Sequence, residues 1–173
     1  MALEDKFNQA VSEWREHCKN NSFHSVISPY LDCEAYRNII AMGPAILPLI
    51  RDQLKKEIEI GAKYETELKR IKIKVFGTDS VKLCFGNYDK IREDAEYNQY
   101  TECREESIGN AGFKWCYAIK TIVPEFGLPI GEKDSGAPIE KVAQGFIGLK
   151  VDDVQKATIK WLDDNMSKYV PAH

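Results

Sequence analysis

The chain has 173 residues, of which 43% are apolar and 29% charged, and its net charge at neutral pH is −3. This length suggests one domain that is large enough for a genuine core. The composition is typical of a soluble globular protein, no stretch has the apolar length of a membrane span, and the small negative charge gives no overall attraction to nucleic acid or anionic lipid.

The N-terminal sequence MALEDKFNQ carries acidic residues where a signal peptide has basic and then apolar ones. We therefore expect a cytoplasmic protein. Residues 3–19 are then predicted to form an amphipathic helix, because apolar side chains recur there at helical spacing. These side chains are Phe7, Val11, Trp14 and Cys18.

A pair of helices is predicted over residues 32–56. Asp32 can cap the first of them, since its carboxylate can accept from free backbone N–H groups. Gly43 can take the left-handed conformation that ends a helix, and Pro44 suits the first position of the next. Pro48 is expected in the first turn or at a kink. The second helix has an apolar stripe consisting of Ile46, Leu47, Ile50 and Leu54.

The residue pattern of the segment 57–112 differs from that of the segments on either side. Residues 57–69 extend the preceding helix or form a strand, and Gly61 favours a break. Residues 70–86 alternate between apolar and basic side chains around the turn residues 77–80, which predicts a β-hairpin. Residues 87–107 are dense in charge and are interpreted as a surface helix or a partly mobile loop, anchored by Tyr88, Ile91, Tyr97 and Tyr100.

Further helices are predicted after this segment. Asn110 can cap a helix that Pro124 closes, and its apolar side chains are Phe113, Tyr117, Ile119 and Ile122. Glycines and prolines make 125–138 a loop, and Pro138 begins a short helix. The last helix is predicted over 152–169, with inward-facing Val154, Thr158, Trp161 and Leu162.

The residues around Gly43 resemble the first half of a HEAT-type helical hairpin, with a short helix followed by Ile-Leu-Pro-Leu-Ile at 46–50 and by Leu54. Together with the helix at 113–122, the Gly/Pro loop and Trp161-Leu162, they are also similar to a group of small prokaryotic and phage-type proteins with no established activity. The resemblance covers about 1–56 and 113–168, and it implies a mainly α fold of HEAT-like hairpins. We expect a single helical domain, 1–173, in which 57–112 is an insertion that contains a β-hairpin at about 70–86 and a charged segment at about 87–107.

Four features could carry chemistry, and each has a plainer structural interpretation. The basic side of the hairpin could bind phosphates, although it could equally be a solvated face or be paired with the acidic segment 93–106. The residues of this candidate nucleic-acid or partner surface are Arg70, Lys72, Lys74 and Lys82. The glycine-rich loop 127–136 could hold an anion, but it lacks the Gly-Lys-Ser/Thr ending of a P-loop, which favours a connector.

The other two features concern cysteines and carboxylates. Five cysteines without a signal peptide favour reduced, mostly buried thiols, and a nucleophile paired with His17 or His24 has no supporting motif. The spacing of His17, Cys18, His24 and Cys33 matches no zinc pattern. Glu93, Asp94 and Glu96 could bind a divalent ion, but bunched carboxylates on a charged segment are usually hydrated.

The sequence therefore favours a non-enzymatic, cytoplasmic protein–protein interaction module with no catalytic residue, metal or cofactor, whose specificity lies in the insertion. The alternative is a nucleic-acid-associated protein that uses the basic face of the hairpin. No membrane partner is expected, and the pattern does not indicate an oligomeric state.

Overall fold

A computed structural model describes residues 1–21, 27–105, 111–127 and 151–170. These residues contain eight α-helices, three short 3₁₀ turns and no β-strand, so the mainly helical class predicted from the sequence is confirmed. No helix in this described part is both long and apolar enough to cross a membrane. The helices are α1 Leu3–Asn20, α2 Ser28–Leu31, α3 Glu34–Ala41, α4 Leu47–Phe76, α5 Phe85–Ile91, α6 Ala95–Glu105, α7 Trp115–Ile122 and α8 Val151–Asn165.

The chain divides into two compact units. The first unit comprises Met1–Ile58 and Gly109–His173, and the second unit is Glu59–Ile108. The second unit has nearly the same bounds as the segment 57–112, which the sequence sets apart by its pattern.

The first unit is organised around two tryptophans. Trp14 on α1 and Trp115 at the start of α7 are fully buried and meet edge to face, with ring centroids 4.9 Å apart. The ring of Phe7 also packs against Trp115, with the ring centroids 5.8 Å apart. The predicted stripe of α1 is confirmed, because Phe7, Val11, Trp14 and Cys18 are all at most 5% exposed.

The turn between α3 and α4 follows the sequence pattern closely. Gly43 has a φ of 71°, in the left-handed region that favours glycine, and it opens the 3₁₀ turn Gly43–Ile46. Pro48 is the second residue of α4, where its missing N–H removes no helical hydrogen bond. The second apolar stripe is also confirmed, because Ile46, Leu47, Ile50 and Leu54 are fully buried.

The cap of α3 differs from the prediction. The N-cap residue is Cys33, whose Sγ accepts from the backbone N–H of Tyr36 at 3.4 Å. Asp32 lies one position earlier and instead pairs with Arg37 at 3.2 Å. The prediction of Asp32 as the cap is therefore wrong by one residue.

The β-hairpin predicted at 70–86 is wrong. Helix α4 continues through Gly61, where a break was expected, and through residues 70–76. The alternation of apolar and basic residues there is too short to separate a period of two from a period of 3.6. The longer stripe decides for a helix, because Tyr64, Leu68, Ile71 and Val75 follow one another at intervals of four, three and four and share one cluster, whereas Ile73 is 52% exposed.

The second unit has a small core of its own. Ile71, Ile91, Tyr97 and Tyr100 form its buried centre, and the Tyr64 hydroxyl donates to the Cys103 carbonyl at 2.7 Å. The charged segment 87–107 is described as far as Glu105, and it consists of most of α5 and of α6 rather than a loop. Three of its four expected anchors are buried, while Tyr88 is 36% exposed.

The two C-terminal helices lie where they were predicted, but α8 ends at Asn165 and not at 169, and the buried face of α7 includes Ile119 and not Tyr117 or Ile122, which are only half-buried. Helix α7 ends at Ile122, two residues before Pro124. In α8, Val154, Thr158 and Leu162 are buried, and the ring of Trp161 packs edge to face on Phe126 at 4.8 Å. The predicted cap Asn110, most of the loop 125–138 and the short helix beginning at Pro138 lie outside the described residues.

Candidate functional site

Among the described residues of the second unit, Phe85 is the most exposed large apolar side chain. It is 92% exposed, and it opens α5 with a φ of 40°, a left-handed conformation that costs an L-residue roughly 1–2 kcal/mol. Tyr88 lies one turn further along the same side of the helix and is 36% exposed. A bulky residue with positive φ is unusual enough to be a candidate functional position.

A cation and a carboxylate continue this side of the helix. The guanidinium carbon of Arg92 lies 5.2 Å from the centroid of the Tyr88 ring, and Arg92 Nη1 lies 3.9 Å from Asp89 Oδ1. We call Phe85, Tyr88, Asp89 and Arg92 the α5 surface. It combines two aromatic rings with a guanidinium, the residue types that contribute most to protein interfaces.

The helix beneath the α5 surface is fixed from the other side. Ile91 is fully buried in the core of the second unit. Asn87 Nδ2 donates to the Lys82 carbonyl at 2.9 Å, and Lys90 Nζ lies 5.3 Å from the Phe76 ring. The exposed rings are therefore presented by a helix with several anchors, which lowers the entropy lost when a partner binds.

The basic residues predicted as a binding face are not brought together. Arg70 and Lys74 lie four residues apart and share a face of α4, whereas Lys72 is about 200° away from Arg70 around the helix. Lys82 lies in the segment between α4 and α5. Because the hairpin is not formed, these four residues do not share one face of a β-ribbon.

Arg70 and Lys74 instead form an ion-pair network with carboxylates. Arg70 pairs with Glu67 at 2.5 Å and also with Glu96, and Lys74 Nζ lies 2.7 Å from Asp94 Oδ2 and 3.0 Å from Glu96 Oε1. Lys74 holds the pKa of Asp94 below its usual range, and Arg70 followed by Lys74 does the same for Glu96. The sequence left open that the basic residues pair with the acidic segment 93–106. This interpretation holds for Arg70 and Lys74. In the described residues no ion pair involves Lys72 or Lys82.

The same network bears on the acidic cluster. Asp94 and Glu96 are occupied by Arg70 and Lys74, and Glu93 is exposed. Across the described ranges, no group of three His, Cys, Asp or Glu side chains is arranged to hold a metal ion.

The five cysteines are free thiols, of which two are buried, one is half-buried and two are exposed. Burial raises the pKa of Cys18 to about 11 and that of Cys116 to about 12, so both stay protonated at neutral pH. Cys84 and Cys103 are exposed, so the expectation of mostly buried thiols is wrong for this pair. His17 Nε2 bonds to the Pro29 carbonyl at 2.7 Å, and His24 lies outside the described residues.

In the first unit, an open cleft of about 450 Å³ lies between α1 and α3. Ala10 and Met42 supply its apolar lining, and Lys6, Glu13 and Glu34 supply charges of both signs. No single ligand chemistry is favoured by this mixture.

Comparisons with protein family models, with curated protein sequences and with solved structures find no match for this chain. Function is therefore inferred from the geometry of the chain itself.

Sequence reasoning missed the α5 surface, because alternation put Phe85 on the inner side of a strand. A signal was present in Gly86-Asn87, since this pair follows Phe85 directly and is typical of a break in a strand.

Proposed function

We propose that this chain is a non-enzymatic interaction module that binds another protein through the α5 surface. The observation that carries the proposal is Phe85, an aromatic side chain that is 92% exposed and held at a φ of 40°. Its ring gains little from folding and the backbone beneath it is strained, so its benefit is expected in a bound state.

The chemistry of the partner follows from the surroundings of the ring. A phenyl group needs an apolar pocket, and Tyr88 with Arg92 forms the polar side of the same surface. On the α5 surface Arg92 lies beside the single carboxylate of Asp89, whereas Lys90 lies against Phe76 on the other side of the helix. We therefore propose a partner protein with an apolar pocket whose polar rim includes an acidic side chain that can pair with Arg92.

Two broader expectations belong to the same proposal. A HEAT-like architecture is supported by α3, the Gly43 turn and the buried stripe of α4. A cytoplasmic setting is supported by five free cysteines, because a reducing compartment preserves thiols.

Nucleic-acid association is the second candidate, and it is favoured by Lys72 and Lys82, for which the described part of the chain supplies no ion pair. Single-stranded nucleic acid would also stack on exposed aromatic rings. The ion pairs of Arg70 and Lys74 weaken this candidate, since those pairs must break before either cation meets a phosphate.

The test is affinity capture from a native extract with wild-type protein and with Phe85→Ala, followed by titration of the purified partner. Leu3→Ala is the matched control, since Leu3 is an exposed apolar residue of the first unit. Circular dichroism verifies that each variant is folded.

We expect a stoichiometric protein that the wild type and Leu3→Ala retain and that Phe85→Ala binds at least about tenfold more weakly, the range of a hot-spot residue. Equal binding by all three would overturn the α5 surface as the site. Bound nucleic acid that is lost steeply with rising salt, and lost with Lys72→Glu plus Lys82→Glu, would establish the second candidate instead.

A further inference from the structure

A buried carboxylate fastens α4 to the beginning of the next described segment. Glu57 is 5% exposed, and its Oε1 accepts from the backbone N–H of Ala111 at 3.0 Å. Ala111 is itself 2% exposed and precedes the 3₁₀ turn Gly112–Lys114 that leads into α7. All of these residues belong to the first unit.

The second oxygen of this carboxylate is less well placed. Glu57 Oε2 is buried and has no hydrogen-bond partner among the described residues. The indole Nε1 of Trp115, on a residue with no exposed surface, has no acceptor there either. A buried ionised carboxylate is costly unless donors satisfy both oxygens, whereas a neutral carboxyl group needs much less compensation.

The charged and titratable groups around Glu57 come from α1 and from the turn before α7. Arg15 on α1 and Lys114 in the turn favour the ionised carboxylate, and Cys18 on α1 is a neutral thiol at physiological pH. Burial outweighs these charges and raises the pKa of Glu57 to about 7, although the bonded N–H of Ala111 and the N–H groups of Gly112 and Trp115, which lie near the carboxyl group without bonding to it, oppose the rise. Burial also lowers the pKa of Lys114.

We propose that Glu57 is a proton-controlled latch, which holds the 111–115 segment on α4 when it is protonated and loosens that attachment when it ionises. The proposal rests on the buried, half-satisfied carboxyl group and its bond to Ala111, and it is independent of the α5 surface.

The sign of the effect follows from proton linkage. A carboxyl group with a raised pKa in the folded state keeps its proton after the unfolded chain has lost it. The folded state is therefore favoured at low pH, and this advantage is lost as the pH rises towards and past 7.

The test compares wild type with Glu57→Gln, which keeps the size of the side chain and an oxygen for the Ala111 N–H but cannot ionise. Glu59→Gln is the matched control, because Glu59 is an exposed glutamate on the same helix. Denaturant unfolding at pH 5 and pH 8 gives the folding equilibrium, and carboxyl carbon NMR of the wild type gives the titration of Glu57 directly.

Between pH 5 and pH 8 we expect the folding equilibrium of the wild type to weaken by about 50-fold relative to Glu57→Gln. Glu59→Gln should follow the wild type. Amide exchange at Ala111, corrected for intrinsic rates, should accelerate over the same pH range only when Glu57 is present. A Glu57 resonance that titrates in the ordinary carboxyl range, or the same pH dependence in wild type and Glu57→Gln, would overturn the latch.

Discussion

Lys74 Nζ lies 2.7 Å from Asp94 Oδ2, and the other oxygen of the same carboxylate accepts from the backbone N–H of Tyr97 at 3.1 Å. Asp94 therefore joins α4 to the start of α6 and caps α6 at the same time. The two bonds place a buried tyrosine of the second unit directly beside an ion pair.

The first prediction concerns acid stability. The pKa of Asp94 is lowered chiefly by Lys74, so this carboxylate stabilises the second unit above its unfolded pKa, and the stability is lost as pH falls through its folded value. We expect Asp94→Asn to lower the free energy of unfolding at neutral pH and to approach the wild type in acid. Asp94→Ala should be worse than Asp94→Asn, because alanine also loses the cap. Denaturant titrations at several pH values measure both, and a constant difference between wild type and Asp94→Asn down to strong acid would contradict the role of the charge.

The second prediction separates a helix from a hairpin at residues 70–76. Ile71 is fully buried and Ile73 is 52% exposed, whereas a strand would put both on one face. We expect Ile71→Ala to cost about 2–4 kcal/mol and Ile73→Ala less than about 0.5 kcal/mol, since only the first leaves a cavity. Chemical denaturation measures the two costs. Equal costs for the two substitutions would contradict the helix and support the predicted strand.

The third prediction concerns the strain at Phe85. Phe85→Gly relieves a left-handed backbone and loses almost no buried surface, so we expect the second unit to become more stable by up to about 1 kcal/mol. Phe85→Ala keeps the positive φ and should stay within about 0.5 kcal/mol of the wild type. Amide exchange of the second unit measures both variants. Marked destabilisation by Phe85→Ala would mean that the ring supports the fold instead of a partner.

The fourth prediction uses two glycines with open space around them. A Cβ at Gly43 or at Gly61 would meet no atom within 4 Å, but only Gly43 has a positive φ. Gly43→Ala should therefore cost about 1–2 kcal/mol through backbone strain. Gly61→Ala, inside α4, should add about 0.5–1 kcal/mol of stability. Thermal melts measure the pair, and a loss of stability in Gly61→Ala would indicate that α4 bends there.

Long periodic stretches were predictable from the sequence. The stripe from Phe7 to Cys18 covers three turns and can only be a helix, and Gly43 with Pro44 marks a turn by the conformations that each residue allows. These features depend on local geometry, which is why the sequence alone could predict these elements of the first unit.

The site was less predictable because its parts are set by partners far along the chain. Arg70 and Glu96 are 26 residues apart, and their pairing exists only once α4 and α6 pack together. The exposure of Phe85 depends equally on packing, because Ile91 and not Phe85 fills the small core. Short alternation over six residues could not supply this information.

The bond between Glu57 and Ala111 has a topological consequence for how this protein can be re-engineered or diversify. It joins residues 54 positions apart, so the chain leaves the first unit and returns to it at nearly the same point. A short linker can close so small a gap at little entropic cost. The whole intervening segment can thus be removed, or exchanged for another domain, at a single junction, which leaves Trp14, Trp115 and the core around them with their native neighbours.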